Sequence, residues 1–289
     1  GRADELRVGR ASEVALAASA TIHVGPFSGV STDKLTLTSG SGGTVISGSP
    51  SYALTKTGMG TLELVSGSAT YGNTAIQAGT LSVRSDALSS GGVSVASGAT
   101  LNINTTTLRA PSSIQLSGTG VGGAGALTGS GAAAYSGNLV LSGAAAVGAT
   151  AGSTLTLSTI NGGVGDSLIK LGDGVVVLGG PASYSGGTTI SAGVLTAGNA
   201  AALGSAGPVT VAPDGTLNIA GVTLGAGTPI SLYGTLRGTG TAGYAGAVTL
   251  ENSTARIDTL VGDTLTLGAA MNGSGSLTKS GAGTLKLSG

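Results

Sequence analysis

The chain has 289 residues, with 56 glycines, six tyrosines, one phenylalanine, no tryptophan and no cysteine, and its 12 Lys and Arg balance 12 Asp and Glu. Without cysteine there are no disulfides, no thiol catalysis and no Cys-based metal sites, and charges spread singly give no basic face for nucleic acid. Glycine without a strict three-residue period excludes collagen, and 40% hydrophobic content argues against simple disorder.

At the start, Ala3-Asp-Glu-Leu-Arg-Val8 contains helix formers, but Gly9 interrupts them within two turns. The N-terminus lacks a basic, apolar, small-residue signal pattern, and no apolar run reaches about 18 residues, so any signal peptide or anchor is expected outside this stretch. Leu35-Thr-Leu37 recurs as Leu155-Thr-Leu157 and Leu265-Thr-Leu267. Leu54-Thr-Lys-Thr-Gly-Met-Gly-Thr-Leu-Glu-Leu64 returns 114 residues later from Leu168 to Leu178, and after a further 109 from Leu277 to Leu287.

The residues between these copies are duplicated too. Tyr71-Gly-Asn-Thr-Ala-Ile76 matches Tyr184 to Ile190, Gly98 to Ile103 matches Gly215 to Ile219, and Tyr135 to Leu141 matches Tyr244 to Leu250. The expected organisation is one continuous tandem array. Residues 1–53 form the back half of a preceding super-repeat, 54–167 and 168–276 are full super-repeats, and 277–289 begin another, so the stretch starts and stops in mid-repeat.

A finer period lies inside the long one. Val176, Leu195, Leu217, Leu236, Ile257 and Leu277 follow each other at 19, 22, 19, 21 and 20 residues. Short alternating runs such as Val93-Ser-Val95 and Leu217-Asn-Ile219, bounded by Gly, Ser, Asn and Pro-Asp-Gly, read as strands. Barrels and sandwiches do not repeat their sequence at the period of one coil, whereas a parallel β-helix does.

The expected fold is therefore all-β, a right-handed parallel β-helix (β-solenoid) of about 20 residues per coil within a super-repeat of about 110 residues. Roughly 13 or 14 coils give a rod on the order of 65 Å long. Leu62, Leu81, Leu101, Val176, Leu195, Leu217 and Leu236 are expected to point inward, with Leu195 paired in parallel to Leu217. A narrow interior explains why Val, Ile, Leu and Ala replace large aromatic residues.

At Leu168 to Leu203, again at Leu54 to Leu88, and in a shortened copy from Leu277, the sequence resembles the passenger-associated β-strand repeat of bacterial autotransporters. Asp173 and Val175 to Val177 depart from that pattern without disturbing the strands. The resemblance implies an exported passenger at the extracellular face of the bacterial outer membrane. It also implies a translocator β-barrel lying outside these residues.

Candidate chemistry is sparse. Gly118 to Gly123 and Gly238 to Gly243 match G-x-G-x-x-G, but neither leads into a helix that could hold a pyrophosphate, so both read as turns and no cofactor is expected. Gly162-Gly-Val-Gly-Asp-Ser167 resembles a calcium-binding nonapeptide, yet Asp166 comes one residue early and Gly273 to Ser276 and Gly48 to Ser51 carry no carboxylate. No metal site is expected there. His23 is the single histidine, and no G-x-S-x-G occurs.

Asp166 with Asp173 and Asp258 with Asp263 are the nearest acidic pairs beyond the N-terminal segment, and both read as solvated turn residues flanking strands rather than a catalytic dyad. Tyr71, Tyr184, Tyr135 and Tyr244 recur at matching positions. They either form an exposed ladder for glycans or, as favoured, pack over a coil edge with the hydroxyl in water. The sequons at Asn104, Asn252 and Asn272 carry no weight in a bacterial protein.

The function expected on this basis is a non-enzymatic extracellular rod for adhesion or self-association, its partners being other copies of itself or host and surface glycans. The alternative is a self-assembling filament or sheath subunit. A β-helical polysaccharide-acting enzyme is the minor alternative. No catalytic, cofactor-binding or metal-binding residue is assigned.

Overall fold

Apolar side chains at alternate positions can all be buried only if the strands stack with their inner faces in register. Val93–Val95, Ile230–Leu232 and Thr264–Leu267 follow this rule, each burying its first and third or second and fourth residues. In the computed structural model, which describes residues 5–7, 14–26, 31–39 and 43–289, such strands stack coil upon coil. The result is a β-solenoid of about 12 turns with about 21 residues per turn. That is fewer turns than the expected 13 or 14, because coil length varies from 18 residues between Ile230 and Val248 to 34 between Ala20 and Leu54.

Every strand pairing among the described residues is parallel and joins neighbouring coils. Glu5–Arg7, within the stretch of N-terminal helix formers, is itself a strand paired with Lys34–Leu37. Ala3, Asp4 and Val8 of that stretch lie outside the described residues.

Three ladders run along the rod. On the first face Leu62 pairs with Leu81, then Leu101, Leu127, Val147 and Lys170, and the ladder continues through Ile190, Val211 and Leu232 to Leu250. On the second, Val176 pairs with Leu195, Leu217, Leu236, Ile257 and Lys279. On the third, Ile22 pairs with Lys56, Ile76, Val95, Leu116 and Leu141. The expected pairing of Leu195 with Leu217 is present, and the seven residues assigned to the interior are all fully buried.

One register differs from expectation. Ile257 pairs with Lys279, not Leu277, which is 40% exposed. The turns between them hold two more residues than the apolar spacing suggests, and a lysine takes the ladder position that a hydrophobic residue was expected to fill.

The same registers show how the sequence repeat maps onto the coil. Lys56 and Leu62 occupy the third and first faces, Lys170 and Val176 the first and second, and Lys279 follows on the second. Five ladder steps separate Leu62 from Lys170, and five separate Val176 from Lys279. The repeat therefore spans five coils plus one face. Each copy starts one face further round the rod than the copy before it.

Candidate functional site

The repeated Lys-x-Gly-x-Gly segment builds the most distinctive polar arrangement in the rod. Lys56 stands in register between Ile22 and Ile76, and Lys170 between Val147 and Ile190, so the stem of each side chain lies in the apolar interior. Both lysines are fully buried. A buried ammonium is costly unless each N–H finds an acceptor.

Lys56 Nζ donates to the carbonyls of Thr57, Gly58 and Ala78 at 2.8, 2.7 and 3.0 Å. Lys170 Nζ donates to Leu171, Gly172 and Ala192 at 3.0, 2.6 and 2.9 Å. Two of the three acceptors belong to the lysine's own corner and the third to the next coil, so the ammonium ties successive corners together. Lys279 Nζ repeats the two local bonds, to Ser280 at 2.8 Å and Gly281 at 2.7 Å.

The glycine two residues after each lysine makes this corner possible. Gly58, Gly172 and Gly281 have φ of 74°, 72° and 69°, and a Cβ there would run into the backbone carbonyl of Val24, Ala149 or Thr259 respectively. Burial pulls the pKa of Lys56 and of Lys170 down to about 8, while Asp173 raises that of Lys170. Both therefore remain predominantly charged at neutral pH, with all three protons engaged.

The four recurring tyrosines are interior. Tyr71, Tyr135, Tyr184 and Tyr244 are at most 2% exposed, which excludes both a surface ladder and a hydroxyl in water. The hydroxyls of Tyr71 and Tyr184 bond those of Thr74 and Thr188 at 2.9 and 2.7 Å. Tyr135 donates to Pro111 at 3.2 Å, and Tyr244 to the carbonyl of Thr228. Burial raises all four pKa values to about 12. A satisfied hydroxyl lets a ring fill a coil that aliphatic residues alone would leave loose.

The acidic residues act as local braces. Asp166 Oδ1 accepts from the Gly143 amide at 2.7 Å and its Oδ2 from the Gly163 amide at 2.6 Å, closing the Gly-Gly-Val-Gly-Asp turn. Asp263 accepts from the Gly240 amide at 2.8 Å. Asp258 is not a solvated turn residue: it lies in the strand Arg256–Thr259, mostly buried, and accepts from Arg237 Nε at 2.8 Å.

Glu63 sits between Lys34 at 2.6 Å and Arg84 at 2.7 Å on the outside of the first face. Burial acts to raise its pKa, but the hydrogen bonds and charges of Lys34 and Arg84 outweigh it and hold the carboxyl below its usual value. These pairs bridge neighbouring coils, as do the outward bonds from Asn161 to Asn138 at 2.8 Å and from Asn102 to Ser130 at 3.2 Å.

His23 Nδ1 lies 3.1 Å from Thr57 Oγ1, far in sequence from the carboxylate pairs. Among the described residues no three His, Asp or Glu side chains gather as ion ligands. The members of the two acidic pairs are engaged separately, Asp166 and Asp263 by backbone amides, Asp258 by Arg237, and Asp173 by its charge with Lys170.

Of the glycine-rich stretches, Gly238 begins within the strand Thr235–Thr239. Gly118 to Gly123 leads into a single 3-10 turn, Val121–Gly123, and no α-helix follows. Alternation revealed the inner residues, but the lysines were missed. Their one signal was recurrence beside Gly-x-Gly at positions whose parity matches Leu54 and Leu168.

The family model described as the passenger-associated-transport-repeat matches residues 54–83, 168–197 and 277–289. Each full match runs from the strand bearing the lysine, through the buried tyrosine, to the strand that follows the carbonyl the lysine reaches, as at Ala78, or contains it, as at Ala192. No curated protein and no solved structure matches the chain.

Proposed function

We propose, taking as premise that the chain carries passenger-associated-transport repeats of the autotransporter type, that it is the non-enzymatic rod of a bacterial surface protein and acts through adhesion or self-association. Its repeating unit is the super-repeat at 54–167 and 168–276, flanked by the end of one at 1–53 and the start of another at 277–289. A translocator β-barrel beyond these residues carries it to the extracellular face.

The observation that carries this reading is the unbroken first-face ladder from Leu62 to Leu250, closed at its corners by Lys56 and Lys170. A solenoid braced in this way transmits length and stiffness, as a spacer must. Its outer surface is rich in Ser, Thr, Gly and Ala with net charge zero, so neighbouring rods repel each other little.

Sedimentation or light scattering over a concentration series, at low and high salt, tests the reading. Association that grows with concentration and depends little on salt supports it, since few ion pairs can contribute. A rod that stays monomeric at millimolar concentration counts against self-association. Electron microscopy of the associated material separates lateral adhesion from the alternative of an end-to-end filament or sheath.

A further inference from the structure

The first super-repeat contains an insertion that the second lacks. Leu116 and Leu127 are separated by 11 positions, whereas the corresponding Leu232 and Leu236 are separated by four. The additional residues are the seven from Gly118 to Ala124, which stand against the outside of the first face. Val121 N donates to Thr100 Oγ1 at 2.9 Å, and Thr100 Oγ1 donates to the Gly125 carbonyl at 2.9 Å, so one threonine fastens the loop at two points. Gly120 and Gly125 have φ of 77° and 128° and approach each other too closely for any side chain at Gly120. The glycine pattern that resembles a dinucleotide motif is thus explained by loop closure.

Between this loop and the corner bearing Asp173 lies an open groove of about 480 Å³. Its floor is the outer side of the first-face strands, with Thr80, Asn102, Thr128 and Ser130, and its wall includes Val121. Among the described residues the hydroxyls of Thr80 and Thr128 have no hydrogen-bond partner, and Asp173 acts by its charge on the buried Lys170. No lysine or arginine lines it. Asp173 occupies the tip of the Lys-x-Gly-x-Gly corner, where the other copies have Met59 and Ala282.

The geometry points to this groove as a binding site for a linear neutral oligosaccharide. Unused hydroxyls and one carboxylate offer hydrogen bonds to sugar hydroxyls, while Val121 and the threonine methyls can pack against C–H faces. The nearest cation, Lys170, is fully buried with its three protons engaged, and the absence of an exposed cation disfavours phosphates, nucleic acids and acidic polymers. Asn102 and Thr128 stand in register on neighbouring coils, at a spacing of about 4.8 Å that is close to the length of one sugar unit in an extended chain. The loop is held in place by Thr100 before any ligand arrives, so binding needs little ordering.

The test is titration of the full 289-residue chain with a panel of soluble linear neutral oligosaccharides and their acidic, uronate-containing counterparts, followed by calorimetry or ligand-observed NMR. We expect saturable binding of at least one neutral member. Thr128→Val and Asp173→Ala should each weaken it about tenfold or more, as loss of a ligand hydrogen bond does, with the melting curve unchanged. Failure of every neutral oligosaccharide to saturate at millimolar concentration would overturn the assignment. So would preference for the acidic members, or unaltered binding by both variants.

Discussion

Lys170 Nζ lies 2.9 Å from the carbonyl oxygen of Ala192, one coil further along the chain, and this bond joins the interior of one coil to the corner of the next. Lys56 and Ala78 stand in the same relation at 3.0 Å. Sheet hydrogen bonds hold coils together along the strands, where the backbone is extended. Near a corner the register of the ladder shifts, as it does between Ile190 and Ala192, and carbonyls there can turn inward to the ammonium. An ammonium is suited to that place because it offers three donors and no acceptor.

Replacing Lys170 with Met keeps the stem but leaves three carbonyls without their charged donor. Stability should fall by about 3 kcal/mol, within the range for broken buried polar contacts. Lys279→Met, at an exposed site with two acceptors, should change it by less than about 0.5 kcal/mol. Chemical denaturation of both variants decides the matter, and equal losses would show that the interior location contributes nothing.

Leu195 is fully buried between Val176 and Leu217. Leu195→Asp places an unpaired carboxylate in a narrow apolar interior, at a cost of several kcal/mol. Circular dichroism should show the surrounding coils unfolded at temperatures where the parent is intact. A melting curve identical to the parent would move Leu195 to the surface.

Alkali should unfold the rod in a defined window. Tyr71, Tyr135, Tyr184 and Tyr244 hold their protons to about 12 when folded, against 10.0 when unfolded, so from pH 10 the folded state binds more protons and stability falls as pH rises. For the fully buried Tyr184 the loss is roughly 2 to 3 kcal/mol by pH 12. Lys56 and Lys170 act in the opposite sense: their folded values near 8 lie below 10.5, so stability rises between pH 8 and 10.5. Denaturation midpoints should therefore peak near pH 10 and drop steeply above it, and Tyr184→Phe should flatten the drop.

Thr259 is fully buried, and its hydroxyl oxygen has no hydrogen-bond partner. Val has the same shape without the polar atom. Thr259→Val should raise stability by about 1 kcal/mol, the usual penalty of an unsatisfied buried hydroxyl. A destabilised variant would indicate that a water molecule completes the site.

The apolar ladders could be read from the sequence because alternation is a one-to-one record of which side a strand buries, as Leu195, Leu217 and Leu236 show. The lysines could not, since Lys usually lies at the surface and the exception depends on carbonyls 2 and 22 residues away, as at Lys56. The tyrosines failed for a related reason: the threonine that satisfies Tyr184 lies four residues on, across a glycine turn whose path composition does not reveal. Register near Ile257 was lost because turns vary in length without altering the strand pattern. The groove beside Val121 depends on an insertion whose course only the folded loop defines.

The offset of one face per repeat governs what happens when copies are gained or lost. Deleting one unit, such as 168–276, would shorten the rod by about 26 Å at the usual coil spacing and swing everything beyond the cut by a third of a revolution. Deleting three in register would shorten it by three times as much and leave the downstream part facing its original direction. Copy number therefore sets azimuth as well as reach. Unequal recombination between units would turn the part beyond the junction while keeping the lysine strand in the ladder, because at both junctions the lysine pairs with an apolar ladder residue, Val147 or Ile257.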